Sequence, residues 1–204
     1  MDGVFMKKLI RFAVCLLVAV SAIYIADVWQ DKNALQESLI RLHVVANSDS
    51  SEDQAVKLQV RDAIVSYLQP IAAKCSNKEQ AMAYIRENLD SLQNVANNAL
   101  QILGQQTQAV VSLDKEIFDT REYDTFSLPA GVYESLRITI GEGQGKNWWC
   151  VVFPSLCLPA TGSDFQATAV SAGFSENLSD TLRGGCNFRF FLLDCWGKLE
   201  KLFN

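Results

Sequence analysis

Residues 39–60 read LIRLHVVANSDSSEDQAVKLQV, and the change of period in the middle of this stretch decides the fold class. In the first part, Ile40, Leu42 and Val44 alternate with Arg41 and His43, the period of two that belongs to a half-buried strand. The run stops at Asn47-Ser48-Asp49-Ser50-Ser51, whose short polar side chains compete for backbone N–H groups and favour turns and helix caps. Ser51 and Gln54 fit a capping box, and Glu52 and Asp53 suit the positive end of a helix dipole. Val56, Val60, Ile64, Tyr67 and Ile71 then recur at spacings of three and four, which predicts a helix over 52–69 that stops at Pro70. Strand and helix therefore follow each other within one short segment.

Outward from this stretch the same two periods recur. Ile85, Leu89, Leu92, Ala96, Ala99 and Leu103 predict a second helix from Asn77 to a C-cap at Gly104. At that length, about 40 Å, it would cross a sheet or form an αα-hairpin with its predecessor. Strands are expected over 107–113 and 133–140, with an acidic loop between them. The simplest reading of Gly141-Glu142-Gly143-Gln144-Gly145-Lys146-Asn147, set between Tyr133–Ile140 and Trp148–Phe153, is the long tip of a β-hairpin. Residues 160–186 carry little periodicity apart from a short helical pattern over 175–183, and 188–203 predict a terminal helix. The sum is a single α+β domain over 29–204, with a small, mostly antiparallel sheet, two consecutive helices after the first strand and a C-terminal helix.

Ahead of it, Lys7, Lys8 and Arg11 precede Phe12–Ala26, a run whose side chains are almost wholly apolar. Residues 1–28 read as a signal peptide or signal anchor, with Val20-Ser21-Ala22 offering a cleavage site and residues 9–26 contacting the membrane if uncleaved. The basic residues before the run and Asp27 and Asp31 after it send the rest of the chain across the membrane. Cys15 lies inside the apolar run with no small residue before it, which argues against a lipidated cysteine.

A net charge of −5 and a single histidine narrow the functions open to the exported part. The charge disfavours nucleic acid and anionic lipid headgroups as partners. One imidazole leaves little for a zinc site or a nucleophile–base pair, and alternation places His43 on the face opposite the aliphatics, away from a role with Asp49 and Asp53. The glycine-rich stretch fails as a phosphate loop: Ile140 stands where the first glycine is needed and Asn147 where a Ser or Thr is needed. Asp114, Glu116, Asp119, Glu122 and Asp124 read as a solvated acidic loop rather than a carboxylate pair across a cleft. No catalytic residue, metal ligand or cofactor is expected. Five cysteines lie in the exported part, and Cys150 and Cys157 are placed to bond across a strand end or to remain two small buried hydrophobes.

Two blocks carry a resemblance. The first is Leu39–Ser50 with Asp53, Gln54, Lys57 and Val60-Arg61-Asp62; the second runs from Leu128-Pro129-Ala130-Gly131 through Gly141-x-Gly143-x-Gly145-x-Asn147-Trp148-Trp149-Cys150 to Pro154 and Cys157. Together they resemble the stage II sporulation protein R family. That resemblance implies a protein made in the forespore and exported into the space between the two membranes. There it would activate a membrane aspartic protease of the mother cell that cleaves the sigma-E precursor. The contact residues expected on this reading are Gly141, Gly143, Gly145, Asn147, Trp148 and Trp149, with Asn47 and Asp49 as a second face. Adjacent strand residues point to opposite faces, so one tryptophan should enter the core and the other face outward. A cell-envelope hydrolase or peptidoglycan-binding module is the alternative.

Overall fold

The computed structural model describes residues 3–122 and 127–154, which fall into two compact units, 3–34 and 35–154. The first is most of helix α1 (Gly3–Ser38), whose apolar stretch is exposed along its length and is long enough to cross a membrane. Its position near the N-terminus is that of a signal sequence or an anchor. The predicted helices over 175–183 and 188–203 lie outside the described residues.

The second unit is α+β. After the last turn of α1 come β1 (Ile40–Val45), α2 (Ser51–Ala72), α3 (Lys78–Glu87), α4 (Leu89–Ile102), β2 (Ala109–Phe118), β3 (Arg121–Glu122), β4 (Ser127–Leu128), β5 (Gly131–Ile140) and β6 (Asn147–Phe153). The main sheet has the order β2-β5-β1-β6, with β1 parallel to β5 and the other two pairings antiparallel; β3 and β4 form a separate small ribbon. Ile40, Leu42 and Val44 on one face of β1 join Leu136, Ile138 and Ile140 of β5 and the helix stripe Val56, Val60, Ile64, Leu92, Ala96 and Leu100 in one core. The residues spaced by two on the strands and by three or four on the helices meet in the same layer, which is what makes the local periods mutually consistent.

Five expectations change. The glycine-rich stretch is not a hairpin tip, because β1 lies between β5 and β6. Strands two places apart in a sheet stand about 10 Å from each other, so the connection has to cross the end of β1 rather than turn tightly. Helix α2 is capped by Ser50, whose Oγ accepts the Asp53 N–H at 3.1 Å, so the N-cap stands one residue before the expected Ser51, and the Ser50 N–H is held by Ser48 Oγ at 3.2 Å and not by a box partner. Pro70 lies inside the helix; it lacks the donor for the carbonyl four residues back and its ring crowds that carbonyl, yet only the last turn follows it, and that turn closes through Ala73 N–H to the Gln69 carbonyl at 3.1 Å. The long second helix is broken at Asn88, whose side-chain amide donates to the Tyr84 carbonyl at 2.9 Å while its own backbone leaves the helical region at φ −116°. The apolar seam survives because one residue deviates and α4 restarts at once. Finally, the acidic loop is largely strand: β2 runs through Asp114, Lys115 and Glu116 to Phe118, paired to β5 throughout.

Candidate functional site

Two networks converge on β1, one at its C-terminal end and one on its polar face. At the end, the chain leaves β1 through Asn47 and Ser48, and the glycine connection docks on it by main-chain bonds. Gly145 N–H donates to the Ala46 carbonyl at 2.9 Å and Gln144 N–H to the Asn47 carbonyl at 3.1 Å. Asn47 Oδ1 accepts the Glu142 N–H at 3.0 Å, and Asp49 Oδ1 accepts the Lys146 N–H at 2.7 Å. Below the turn, buried Lys57 donates from Nζ to the Lys146 carbonyl at 3.0 Å and to Gln54 Oε1 at 2.6 Å. Burial pushes the Lys57 ammonium down from its usual range.

The glycines are required by this docking. A Cβ on Gly145 would stand 2.2 Å from the Ser48 carbonyl oxygen, and one on Gly141, at φ +55°, would stand 2.2 Å from Asn47 Oδ1. Asp53 holds the turn from the helix side, accepting from Ser48 Oγ and, at 3.0 Å, from Asn47 Nδ2. Hydrogen bonds from Ser48 and then Asn47 outweigh the effect of burial and hold its carboxyl below the usual carboxylate range. A lowered folded value stabilises the protein above the unfolded carboxylate pKa of about 4 and is lost as pH falls through the folded value. Asp53→Asn is therefore expected to melt below the parent at neutral pH and to converge with it in acid; a melting difference independent of pH would contradict the network.

On the polar face, His43 is 5% exposed and lies under the ring of Trp149, with centroids 3.7 Å apart. Its Nδ1 is 3.1 Å from Glu116 Oε2 and its Nε2 is 3.0 Å from Asn147 Oδ1. Arg137 donates to Glu116 Oε1 at 2.9 Å. Burial pushes the Glu116 carboxyl up, but the neighbouring Ser135 hydroxyl, His43 and Arg137 together outweigh it and hold it below the usual range. Beside them the guanidinium of fully buried Arg41 lies 3.9 Å from the centre of the Phe118 ring.

Of the residues expected to make contacts, Asn47 and Asp49 therefore hold the main chain of the connection that carries Gly141 and Gly145, Gly143 forms a tight turn at φ +62°, and Asn147 and Trp149 meet His43. Trp148 points to the other face of β6, is 37% exposed and packs under the Arg61 guanidinium at 4.3 Å. Glu142, Gln144 and Lys146 are exposed around the same connection. Glu116 is the member that local sequence reading misses: its partners are 73 residues (His43) and 21 residues (Arg137) distant in sequence. His43 does not meet Asp49 or Asp53, and among the described residues no group of three His, Cys, Asp or Glu side chains is arranged to hold a metal. Cys150 is disulfide-bonded, while Cys75 is free; Cys157 lies outside the described residues.

With this geometry in view, the comparisons with known proteins are consistent with one another. The family model described as stage II sporulation protein R matches residues 36–162. Stage II sporulation protein R of Bacillus subtilis (strain 168) is 37% identical over 123 residues, an alignment covering 60% of this chain and 55% of that protein. The matched part thus spans about half the length of that relative. No solved structure matches.

Proposed function

This chain belongs to the stage II sporulation protein R family and so has a sporulation-related role, and from that membership we propose that it is an exported signal that activates a membrane aspartic protease by protein contact. The protease then processes the sigma-E precursor. On this reading the apolar part of α1 directs the chain across the forespore membrane, and the α+β unit acts in the space between the two membranes.

The observation that carries the contact reading is the docked glycine connection. Its backbone donors at Glu142, Gln144, Gly145 and Lys146 are engaged by the turn after β1, so they are not aimed at a phosphate or another small ligand. What the connection offers outward is a fixed surface of Glu142, Gln144, Lys146 and Trp148. Aromatic side chains of this kind anchor protein interfaces, and a contact that favours the active state of the protease shifts its population towards that state. Both ring nitrogens of His43 are likewise occupied, which leaves it poorly placed as a general base for hydrolysis.

Trp148 tests the reading because its structural and contact roles separate. Its cation–π contact with Arg61 is worth about 1 kcal/mol at a partly exposed site. Trp148→Ala is expected to melt close to the parent yet lose most precursor processing in cells carrying the protease; normal processing by a folded Trp148→Ala protein would remove the proposed contact. A cell-envelope hydrolase would instead release soluble fragments from purified murein, an assay in which this protein is expected to be inert.

A further inference from the structure

Helix α2 buries Val56, Val60, Ile64 and Leu68 and, among them, one charged residue, Lys57, which is 4% exposed. Its ammonium donates to Gln54 Oε1 and to the Lys146 carbonyl and, among the described residues, pairs with no carboxylate. An ammonium taken out of water without a carboxylate costs free energy that two neutral acceptors do not fully return. The lowering of its titration by burial agrees with that cost. Stability therefore does not account for a cation at this place, whereas the main chain it holds does.

The main chain of Lys146 is gripped from both sides by groups of opposite charge. Asp49 Oδ1 accepts its N–H at 2.7 Å and Lys57 Nζ donates to its carbonyl at 3.0 Å, and charge-assisted bonds of this kind are about twice as strong as neutral ones. The N–H and the carbonyl belong to the two peptide planes on either side of one Cα. Holding both planes fixes φ and ψ of Lys146 and with them the direction in which the chain enters β6. Asn147 opens that strand and Trp148 follows it. One turn along α2 from Lys57, on the same face of the helix, Arg61 lies over the Trp148 ring at 4.3 Å. Gln54 ties the ammonium back to the turn after β1, donating from Nε2 to the Ser48 carbonyl at 2.9 Å.

We propose that Lys57 and Asp49 are positioning residues for the protease contact, which clamp the Lys146 main chain and so set the direction in which Trp148 is presented. This deepens the reading above and rests on it. The buried ammonium acts on the contact only through the strand entry it holds.

The exposed Lys146 side chain reports on the clamp, because trypsin cleaves after lysine only where the local main chain can lift away from the domain. Lys57→Met keeps the length of the side chain and removes the donor; Lys146 is exposed and Gln54 half-buried, so both released acceptors reach water. The purified full-length variant is expected to melt within about 3 °C of the parent, since the lost bonds and the relieved burial of a charge oppose each other. Cleavage of its Lys146–Asn147 bond, followed by mass spectrometry, is expected to be about tenfold faster, the equivalent of roughly 1.4 kcal/mol of lost hold. Val60→Ala, which opens a cavity under the same helix, is expected to melt lower with that bond as resistant as in the parent. Co-expressed with the protease and sigma precursor of the same organism in a non-sporulating host, Lys57→Met is expected to lower precursor processing about tenfold. Parental resistance of the bond in Lys57→Met would overturn the clamp. Parental processing by a variant whose bond is cleaved faster would overturn the positioning role and leave the contact reading standing. Should Lys57→Met fail to fold, Asp49→Ala, at an exposed position, decides by the same two readouts. Absence of processing with the parent chain would overturn the contact reading and the positioning role with it.

Discussion

Gly145→Ala is expected to lower the melting temperature by about 6–12 °C, the shift produced by roughly 3 kcal/mol in a protein of this size. The reason is close approach. The added methyl would stand 2.2 Å from the Ser48 carbonyl oxygen and 2.8 Å from the Ala46 Cβ, and the obstructing oxygen belongs to the backbone of a turn held by Asp53 and Gln54. The chain cannot relieve this by rotating a side chain. It has to lift the glycine connection, breaking the Gly145 bond to Ala46 and with it the neighbouring Gln144 and Lys146 bonds. Gly104→Ala is the contrasting case: its φ of +73° is unfavourable for alanine, but nothing lies within 4 Å of the added carbon. There only the backbone cost of about 1–2 kcal/mol applies. Thermal melts of the two purified variants separate the effects, and a Gly145→Ala protein melting with the parent would show that the connection is not docked on the turn.

The second large effect is expected at His43. Replacing it by alanine removes the ring beneath Trp149 and the contacts to Glu116 and Asn147, and leaves the half-buried Glu116 carboxylate with Arg137 as its remaining charged partner. Losing a hydrogen bond to a charged group costs about 1.5–3 kcal/mol, and loss of ring stacking adds of the order of 1 kcal/mol. A total near 3 kcal/mol is expected. Trp149→Ala removes the same stack from the other side, so the double variant should be less destabilised than the sum of the two, with a coupling of about 1 kcal/mol. Denaturant titrations of the four proteins measure that coupling; strictly additive losses would contradict the stacked arrangement.

Local period made a good part of this fold legible. The strand at 40–45, the helix stripe from Val56 to Ile64 and the strands carrying Leu136 and Trp149 follow from spacing, because their aliphatic positions recur at a period of two or near 3.6; β1 is nevertheless buried on both faces, Arg41 and His43 included, and not half-buried as its alternation suggests. Sheet order was not legible. Nothing in the residues between Gly141 and Asn147 announces that β1 will lie between the strands they join, since that pairing depends on contacts about 100 residues away in sequence. Glu116 shows the same limit. Among neighbouring acidic residues it reads as solvated, and becomes a half-buried ion-pair member only when β5 and β1 bring Arg137 and His43 beside it. Asn88 is a milder case, where a single side chain bonds back to Tyr84 and breaks a helix whose apolar seam runs on unbroken.

The site was partly legible too. The two blocks that carry the family resemblance turn out to be one structural unit, the turn after β1 and the connection after β5, held together by Asn47 and Asp49. Their shared role in docking could not be read from either alone. Trp148 and Trp149 do diverge to opposite faces, as strand alternation requires, and only the structure says which of them has His43 for a partner.

Activation of the protease by contact requires the domain to lie across the membrane. Following the size of the sigma precursor in a non-sporulating host that makes the cognate protease tests it most directly, with the full chain either exported or retained by deletion of its N-terminal apolar segment. Shortening of the precursor is expected only when the chain is exported and the protease is present. Shortening without export, or none at all with all three proteins present, would contradict it.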